Sequence, residues 1–384
     1  MAKTLGVGII GCGNISWAYL TLASKFKHIE VRAVADMNMA AAEARAKEFN
    51  VKAQSVKDLL KNKDIDIVVN LTVPAVHYKV SKQILEAGKH VYSEKPLTLS
   101  YKDAVALQKF AAKKKLRVGS APDTFLGASH QLARKAIDDG VIGKVVSGTC
   151  HFMGPGMEMW HPQPHFFFNP GGGPMLDMGP YYITNLINLV GPVKRVMGLA
   201  NTGRKERVIS TPTSPFKGEK IKVKTPTSYH AILEFANGAA ITVGLSWDVW
   251  AHKHQNMEIY GQNGAIFVPD PNFFGGDVML TTEIGKTEAM KAWDHPFGKN
   301  NWGQQNSQTD VIWANYRCAG LADMADAIIN KKKLARCDIS MVAHVVEVMT
   351  AVMEAGVKKK VITLKSTCKR PEPLGPEAAR ALMK

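Results

Sequence analysis

The stretch "YSEKPLT" sets a carboxylate, an amine and a proline side by side, Glu94, Lys95 and Pro96, at the end of an apolar run. Ligands of open α/β sheets bind outside the carboxyl ends of the strands, so Lys95 is expected in a binding crevice, beside a backbone stiffened by Pro96. A second group lies in "NPGGGPMLDMGPYYITNLINLVG", where Asp177, Tyr181, Thr184, Asn185 and Asn188 interrupt an apolar helix at spacings of three, four and seven. Those spacings share one helix face. Desolvating such groups is unfavourable unless something polar opposes them, so the face is expected to meet a wet cleft or a polar ligand; the alternative is an internally bonded polar seam. A third group, "MEMWHPQPHFFF", offers Glu158, Trp160, His161 and His165. Pro162 and Pro164 forbid the helix that would make the two histidines a metal-ligand pair. No metal is assigned, and Trp160, His161 and His165 are assigned to hydrogen bonding and stacking with a sugar-like substrate; the alternative is a loop that packs its aromatics.

A cofactor for such chemistry is indicated at the other end of the chain, in "GVGIIGCGNIS". Residues 4–10 read as a buried strand and 14–26 as a helix, which leaves Gly11, Gly13 and Ser16 on the turn as G-x-G-x-x-S. In the dinucleotide fingerprint the first glycine makes the turn, the second admits a pyrophosphate to the helix N-terminus, and the third position must be small. Asn14 and Ile15 complete the loop. An acid is required at the end of the next strand, and "EVRAVAD" supplies Asp36, which would accept from the adenosine ribose and repel a 2′-phosphate. NAD is therefore expected in preference to NADP.

The elements that must position these groups follow from patterning. The first 120 or so residues alternate strand and helix, the signature of a parallel sheet covered on both faces. After Pro122, runs such as "YHAILEF" and "AAITVGLSW", joined through "FANGAAITV", indicate hairpins and a largely antiparallel sheet. The expected architecture is α/β, with a Rossmann domain at 1–122 and a substrate-binding and oligomerisation domain at 123–384. Irregular loops are expected at about 201–226 and 284–309, and closing helices at 311–330 and 340–355.

Bulk composition excludes several classes. The 46% hydrophobic and 21% charged content is that of a soluble chain, with no apolar run of about 18 residues and no leader-like segment before the first strand. The five scattered cysteines form no C-x-x-C pair, which suits a reduced, cytoplasmic compartment. The formal charge of +16 includes the runs at 113–115, 331–333 and 358–360, at helix ends, where cations complement the dipole. No basic stripe is interleaved with stacking aromatics, so neither a nucleic acid nor a membrane is expected as partner.

With "GIIGCGNIS", Asp36, "LTVPAVHY", "SEKPLT", "GGGPMLDMG" and "FANGAAITV" in order, the sequence resembles the Gfo/Idh/MocA family of glucose–fructose oxidoreductase and inositol dehydrogenase. The resemblance covers nearly the whole chain. It implies a Rossmann domain followed by an α/β domain with a large open sheet, an NAD(P)-dependent oxidoreductase of sugars or polyols, and a homo-oligomer. It also implies that Lys95 and Glu94 belong to the E-K-P motif, that Asp177 is the aspartate of the second motif, that Thr72, Pro74 and His77 line the cofactor, and that Asp123 joins the substrate side. Where many members place a catalytic histidine four residues after that aspartate, this chain has Tyr181. A phenol has an unperturbed pKa of about 10 and needs nearby positive charge to act as a base near neutrality. Lys95 is the candidate for that charge; alternatively His161 or His165 is the base and Tyr181 orients the substrate. Two other activities fit the motifs: an NAD-dependent glycosidase working by transient oxidation and elimination, and a non-catalytic NAD or sugar sensor.

Overall fold

The computed structural model describes residues 3–301 and 314–384. The first sheet is built from β1 (Leu5–Ile10), β2 (Ile29–Ala35), β3 (Lys52–Ala53), β4 (Ile67–Asn70), β5 (His90–Ser93) and β6 (Val118–Ser120). Between them run α1 (Ser16–Ala23), α2 (Met39–Phe49), α3 (Val56–Lys61), α4 (His77–Glu86) and α5 (Tyr101–Lys114). All pairings are parallel, in the order β3-β2-β1-β4-β5-β6. Strand β1, "LGVGII", is buried at every position, as a strand covered on both faces must be. The order reverses between β1 and β4, which opens the crevice where doubly wound folds bind nucleotides. Ser55 and Ser100 cap α3 and α5 by accepting from the amides of Asp58 and Asp103.

The second half contributes α6 (Ala128–Asp138), β7 (Val145–Met153), α7 (Pro174–Asp177), α8 (Gly179–Val190), β8 (Val193–Asn201), β9 (Glu206–Val208), β10 (Lys220–Lys222), β11 (Ser228–Phe235) and β12 (Ala240–Ser246). It continues with β13 (Met257–Gly261), β14 (Ala265–Val268), β15 (Met279–Glu283), β16 (Lys286–Ala289), α9 (Ala319–Ile329), α10 (Ile339–Lys358), β17 (Ile362–Thr363) and α11 (Pro376–Leu382). Nine strands form a sheet in the order β16-β15-β14-β13-β7-β12-β11-β8-β17. It is antiparallel except where β7 lies parallel to β12. One face packs on α6, α7 and α10. The other leaves Met197, Leu199 and Ile232 exposed.

Helix α10 is long and apolar enough to cross a membrane by length and composition, yet most of it is buried here against β8, α8 and α5. It thereby joins the two sheets, and Ser120 on β6 donates its amide to Cys337 O just before α10.

Three sequence expectations need correction. The segment 201–226 is not irregular: β9 and β10 pair across it, and Ile209 and Ile221 close a satellite core with Met157, Phe168 and Trp247. Segment 284–309 contains β16, paired with β15; its residues 302–309 lie outside the described residues, as does the expected helix start at 311. Helix α11 was not expected, because it is short and its apolar positions are few.

A charged group sits in the satellite core. Arg207 is 3% exposed and donates to Glu158 Oε1 at 2.7 Å and to Asp248, with its guanidinium 5.5 Å from the Phe168 ring. Glu158 is thus a structural ion-pair partner and not a substrate contact. Removing one member of a buried ion group leaves uncompensated charge and costs about 3–5 kcal/mol. Arg207→Met is therefore expected to lower the calorimetric Tm by several degrees, and an unchanged Tm would show that the ion group does not hold this subcore.

Candidate active site

The glycine loop has the shape its sequence requires. Gly11 has φ +106°, and a Cβ there would lie 2.6 Å from the Leu71 carbonyl carbon and oxygen. Only glycine fits that position. Gly13, by contrast, faces open space, with nothing within 4 Å of an added Cβ. Ser16 is buried and its hydroxyl donates to Gly13 O at 2.6 Å, so the third small residue also clips the turn. Helix α1 has no capping side chain and no acid in its first turn. Exposed Gly13 and Asn14 and half-buried Ile15 lead into this helix end and form a surface suited to a pyrophosphate. Asp36 ends β2 and accepts from the Cys12 amide and from the Asn38 amide, both at 2.8 Å. One carboxylate thus ties the ribose end of the crevice to the loop. The residues present fit a dinucleotide.

Across the crevice, Thr72 and Pro74 are half-buried, and the Thr72 hydroxyl donates to Asn70 Oδ1 at 2.7 Å. His77 is not a cofactor contact. It is fully buried, with Nδ1 2.7 Å from Pro96 O and Nε2 2.8 Å from Thr72 O. It therefore fixes the Thr72 and Pro96 loops relative to each other, and burial lowers its pKa.

Lys95 projects from the carboxyl end of β5 toward α7. Its Nζ donates to Asp177 Oδ1 at 2.7 Å and to Asp177 O at 2.9 Å. Burial works against the ammonium, but the Asp177 carboxylate outweighs it and raises the pKa well above the ordinary lysine value. Lys95 is thus a fixed cation and not a base. The same Nζ lies 5.1 Å from the centre of the Tyr181 ring, over the ring and not at its hydroxyl. Lys95, Asp177, Pro74, Pro96, Phe166, Phe167, Gly171 and Gly172 line a pocket of about 170 Å³. Glu94 accepts from the Tyr19 hydroxyl at 2.9 Å, which connects this site to the helix that begins at the glycine loop.

Tyr181 has a second cationic neighbour that sequence reasoning missed. Arg317, just before α9, lies within electrostatic reach of Tyr181, Glu94 and Asp123, and its guanidinium donates to Asn315 Oδ1 at 3.3 Å. A lone arginine between Tyr316 and Cys318 carries no periodic or motif signal, so nothing in the sequence pointed to it.

The remaining assignments divide. His161 packs edge-on against Phe167, with ring centres 5.0 Å apart, and feels the Asp177 charge, so it sits at the rim of the pocket beside exposed Trp160. Burial lowers its pKa. His165 turns away, toward Glu219 at 3.5 Å and Phe216. Asn185 is buried, not in a cleft: its side-chain nitrogen lies 3.1 Å from His130 Nδ1, and Asn188 donates to its oxygen at 3.3 Å. Asp123 is likewise buried, and Oδ2 accepts the amides of Cys318 and Gly320 at 3.1 and 3.0 Å. Burial pushes its pKa up to about 6. It anchors the turn that carries Arg317 and does not face the pocket.

Two family models match this combination of glycine loop and second-domain sheet. Residues 5–121 match the oxidoreductase family's NAD-binding Rossmann fold, and residues 130–267 match the GFO/IDH/MocA C-terminal domain. The chain belongs to the GFO/IDH/MocA family. This family member is 31% identical to dTDP-3,4-didehydro-2,6-dideoxy-alpha-D-glucose 3-reductase of Saccharopolyspora spinosa, over 47% of this chain and 54% of that protein. It is 26% identical to levoglucosan dehydrogenase of Pseudarthrobacter phenanthrenivorans, over 69% and 73%. It spans about half the length of the curated relatives it matches at above 30% identity, or less. In fold, it resembles apo levoglucosan dehydrogenase with a TM-score of 0.79 at 21% identity, over 96% of this chain and 100% of that one. The NADH complex of that enzyme gives a TM-score of 0.75 at 20% identity, over 95% and 100%.

Because Gly13 has room in the absence of ligand, Gly13→Val is expected to leave the unliganded Tm unchanged while weakening NADH binding at least about tenfold, since it obstructs the approach to the α1 amides. Asp36→Ala is expected to narrow the preference for NADH over NADPH. Isothermal titration of each variant with both nucleotides checks this, and tighter NADPH than NADH binding by the unaltered protein would overturn the assignment of Asp36.

Proposed function

We propose that this GFO/IDH/MocA member is an NAD-dependent oxidoreductase that oxidises a hydroxyl of a sugar, polyol or related carbohydrate, or reduces the matching ketone. The observation that carries the reading is the Lys95 ammonium, held by Asp177 and lying over Tyr181, at the strand ends that also carry the glycine loop. NAD, held by Gly11, Gly13, Asn14, Ile15, Asp36, Thr72 and Pro74, supplies the hydride acceptor when bound. Lys95 orients the substrate oxygen and favours negative charge on it, and Tyr181 receives the hydroxyl proton. Asp177 holds Lys95 in place and charged. Trp160 and His161 form a rim on which the flat faces of a sugar ring can stack, with Phe166 and Phe167 as the apolar wall of the pocket. The carbohydrate relatives support the substrate class.

Lys95→Met and Tyr181→Phe are each expected to reduce kcat by about 10²–10⁴-fold, the usual range for general acid–base groups, with NADH affinity retained. The measurement is NADH absorbance against a panel of pentoses, hexoses, inositols, glycosides and sugar acids. Release of a free aglycone without net NADH would replace this reading by the elimination route. NADH binding without turnover of any member of the panel would favour a sensor. If Tyr181→Phe keeps its kcat and His161→Asn loses it, the rim histidine is the base.

The proposal extends to assembly and location. The outer face of the nine-stranded sheet exposes Met197, Leu199 and Ile232 beside Lys359 and Lys360, and no helix covers it among the described residues. A second copy is the proposed cover, because exposed apolar patches of this kind mark contact surfaces. Leu199→Glu is expected to shift the sedimentation coefficient from that of an oligomer to that of a 42.0 kDa monomer. A monomer before substitution would refute it. The five unpaired cysteines support a reduced, cytoplasmic setting.

A further inference from the structure

We propose that Tyr19 is a positioning residue for the reaction: its hydroxyl holds the Glu94 carboxylate, and through it the Lys95 backbone, in register with the helix that starts at the glycine loop. The inference rests on the role given to Lys95 above. Hydride transfer needs substrate and cofactor held in one geometry, and misplacement by about an ångström can cost a hundredfold in rate. The cofactor is expected on the glycine loop and the substrate oxygen at Lys95, so the two must be tied together. Strand pairing does not reach far enough. The β4–β5 ladder extends to the Glu94 amide, which donates to Asn70 O at 2.8 Å, while the next amide, that of Lys95, donates to Glu94 Oε2 at 2.9 Å.

Lys95 is held through its side chain by Asp177, through the carbonyl of the following Pro96 by His77, and through its own amide by Glu94. The tie through Glu94 leads to α1, because Glu94 Oε1 accepts from the Tyr19 hydroxyl at 2.9 Å. Tyr19 lies one turn beyond Ser16, whose hydroxyl clips Gly13 O at 2.6 Å. The two oxygens of one carboxylate therefore meet the lysine backbone and the cofactor-loop helix. Tyr19 is 1% exposed, and burial together with the Glu94 carboxylate pushes its pKa well above that of an ordinary phenol. It stays a hydrogen-bond donor at any working pH and takes no part in proton transfer. On its backbone side, the Cys318 thiol donates to Tyr19 O at 3.6 Å, which fixes α1 against the turn before α9. A buried phenol that only fills space accepts any partner for its hydroxyl; here the partner is the residue that holds the Lys95 amide.

The test compares Tyr19→Phe, which keeps the ring and its packing, with the unaltered protein, each also in a Lys95→Met background. Turnover is read as NADH absorbance with the fastest-reacting sugar of the panel above, and NADH affinity by titration. A further readout needs neither substrate nor cofactor: hydrogen exchange of the Lys95 backbone amide, followed by NMR in the unliganded protein. The Val91 amide, which donates to Arg117 O inside the first sheet, is the control.

Tyr19→Phe is expected to lower kcat by about tenfold or more with NADH affinity unchanged, and to add no loss in the Lys95→Met background. Exchange of the Lys95 amide should become about tenfold faster while that of Val91 stays the same. A hydroxyl with a merely structural role would speed both amides or neither, and its effect on kcat would multiply with that of Lys95→Met. Unchanged Lys95 exchange overturns the inference, as does a multiplying loss, or full kcat in Tyr19→Phe where Lys95→Met is impaired. Full kcat in Lys95→Met, or no turnover of any sugar by the unaltered protein, refutes instead the reading of Lys95 and leaves the exchange measurement to decide the tie. If Tyr19→Phe does not fold, Glu94→Ala cuts the same path at its other end with the same expected signs, and unchanged Lys95 exchange there overturns the inference.

Discussion

The contact on which the site depends is the ion pair between Lys95 and Asp177, residues 82 apart in sequence, one at a strand end of the first sheet and the other on the short helix that leads into α8. In a half-buried setting such a pair is screened little and holds its geometry. Its effect is to dock the second half of the chain against the nucleotide crevice at one defined point. The pocket walls follow from it, because Gly171, Gly172 and Leu176 come with Asp177 while Pro74 and Pro96 come with Lys95. His77 fixes the Pro96 side of that arrangement and the Tyr19–Glu94 bond fixes α1 to it. Lys95 is consequently held as a charge.

Much of this was legible in the sequence, for reasons that differ from place to place. The glycine loop is readable because backbone sterics leave no substitute at Gly11, and Asp36 because the strand ahead of it ends in one register. Alternating strands and helices fix a parallel sheet by themselves. Helix periodicity placed Asp177, Tyr181 and Asn185 on one face, but periodicity does not say what stands opposite. Every residue of α8 is buried, so no part of it faces a cleft. Tyr181, near the start of the helix, has its ring under the Lys95 ammonium, and Asn185, one turn on, meets His130 instead. The two histidines of the proline-stiffened loop separated for a similar reason: Phe167 draws one to the pocket and Glu219 draws the other to the β9–β10 hairpin.

Asp123 and Arg317 mark the limit of such reading. They lie 194 residues apart, and their relation is made by backbone amides of Cys318 and Gly320, groups that no residue type reveals. The strained turn at Cys318 is equally invisible, since a cysteine there suggests nothing about φ. Short polar loops between elements carry function more often than pattern, and this one is placed by α9 and α10 returning to pack on β6.

Electrostatics connects the outlying satellite core to the chemistry. Charges interact more strongly as the local dielectric falls, so the strength of the Lys95–Asp177 pair depends on how well it is enclosed. Phe166 and Phe167, which line the pocket beside that pair, stand on the loop that also carries Trp160 and His161. That loop is pinned at its root by Glu158, whose partner Arg207 belongs to the small hairpin sheet, and at its far end by Phe168 against Trp247. The ion group of the satellite core is therefore tied to the pocket through the loop that supplies Phe166 and Phe167 to its wall. The net charge of the chain has no comparable reach: its lysine runs sit at the exposed ends of helices such as α5, where bulk water and salt screen them beyond about 10 Å. The geometry of the pocket is set by a few enclosed charges and by the packing that holds them.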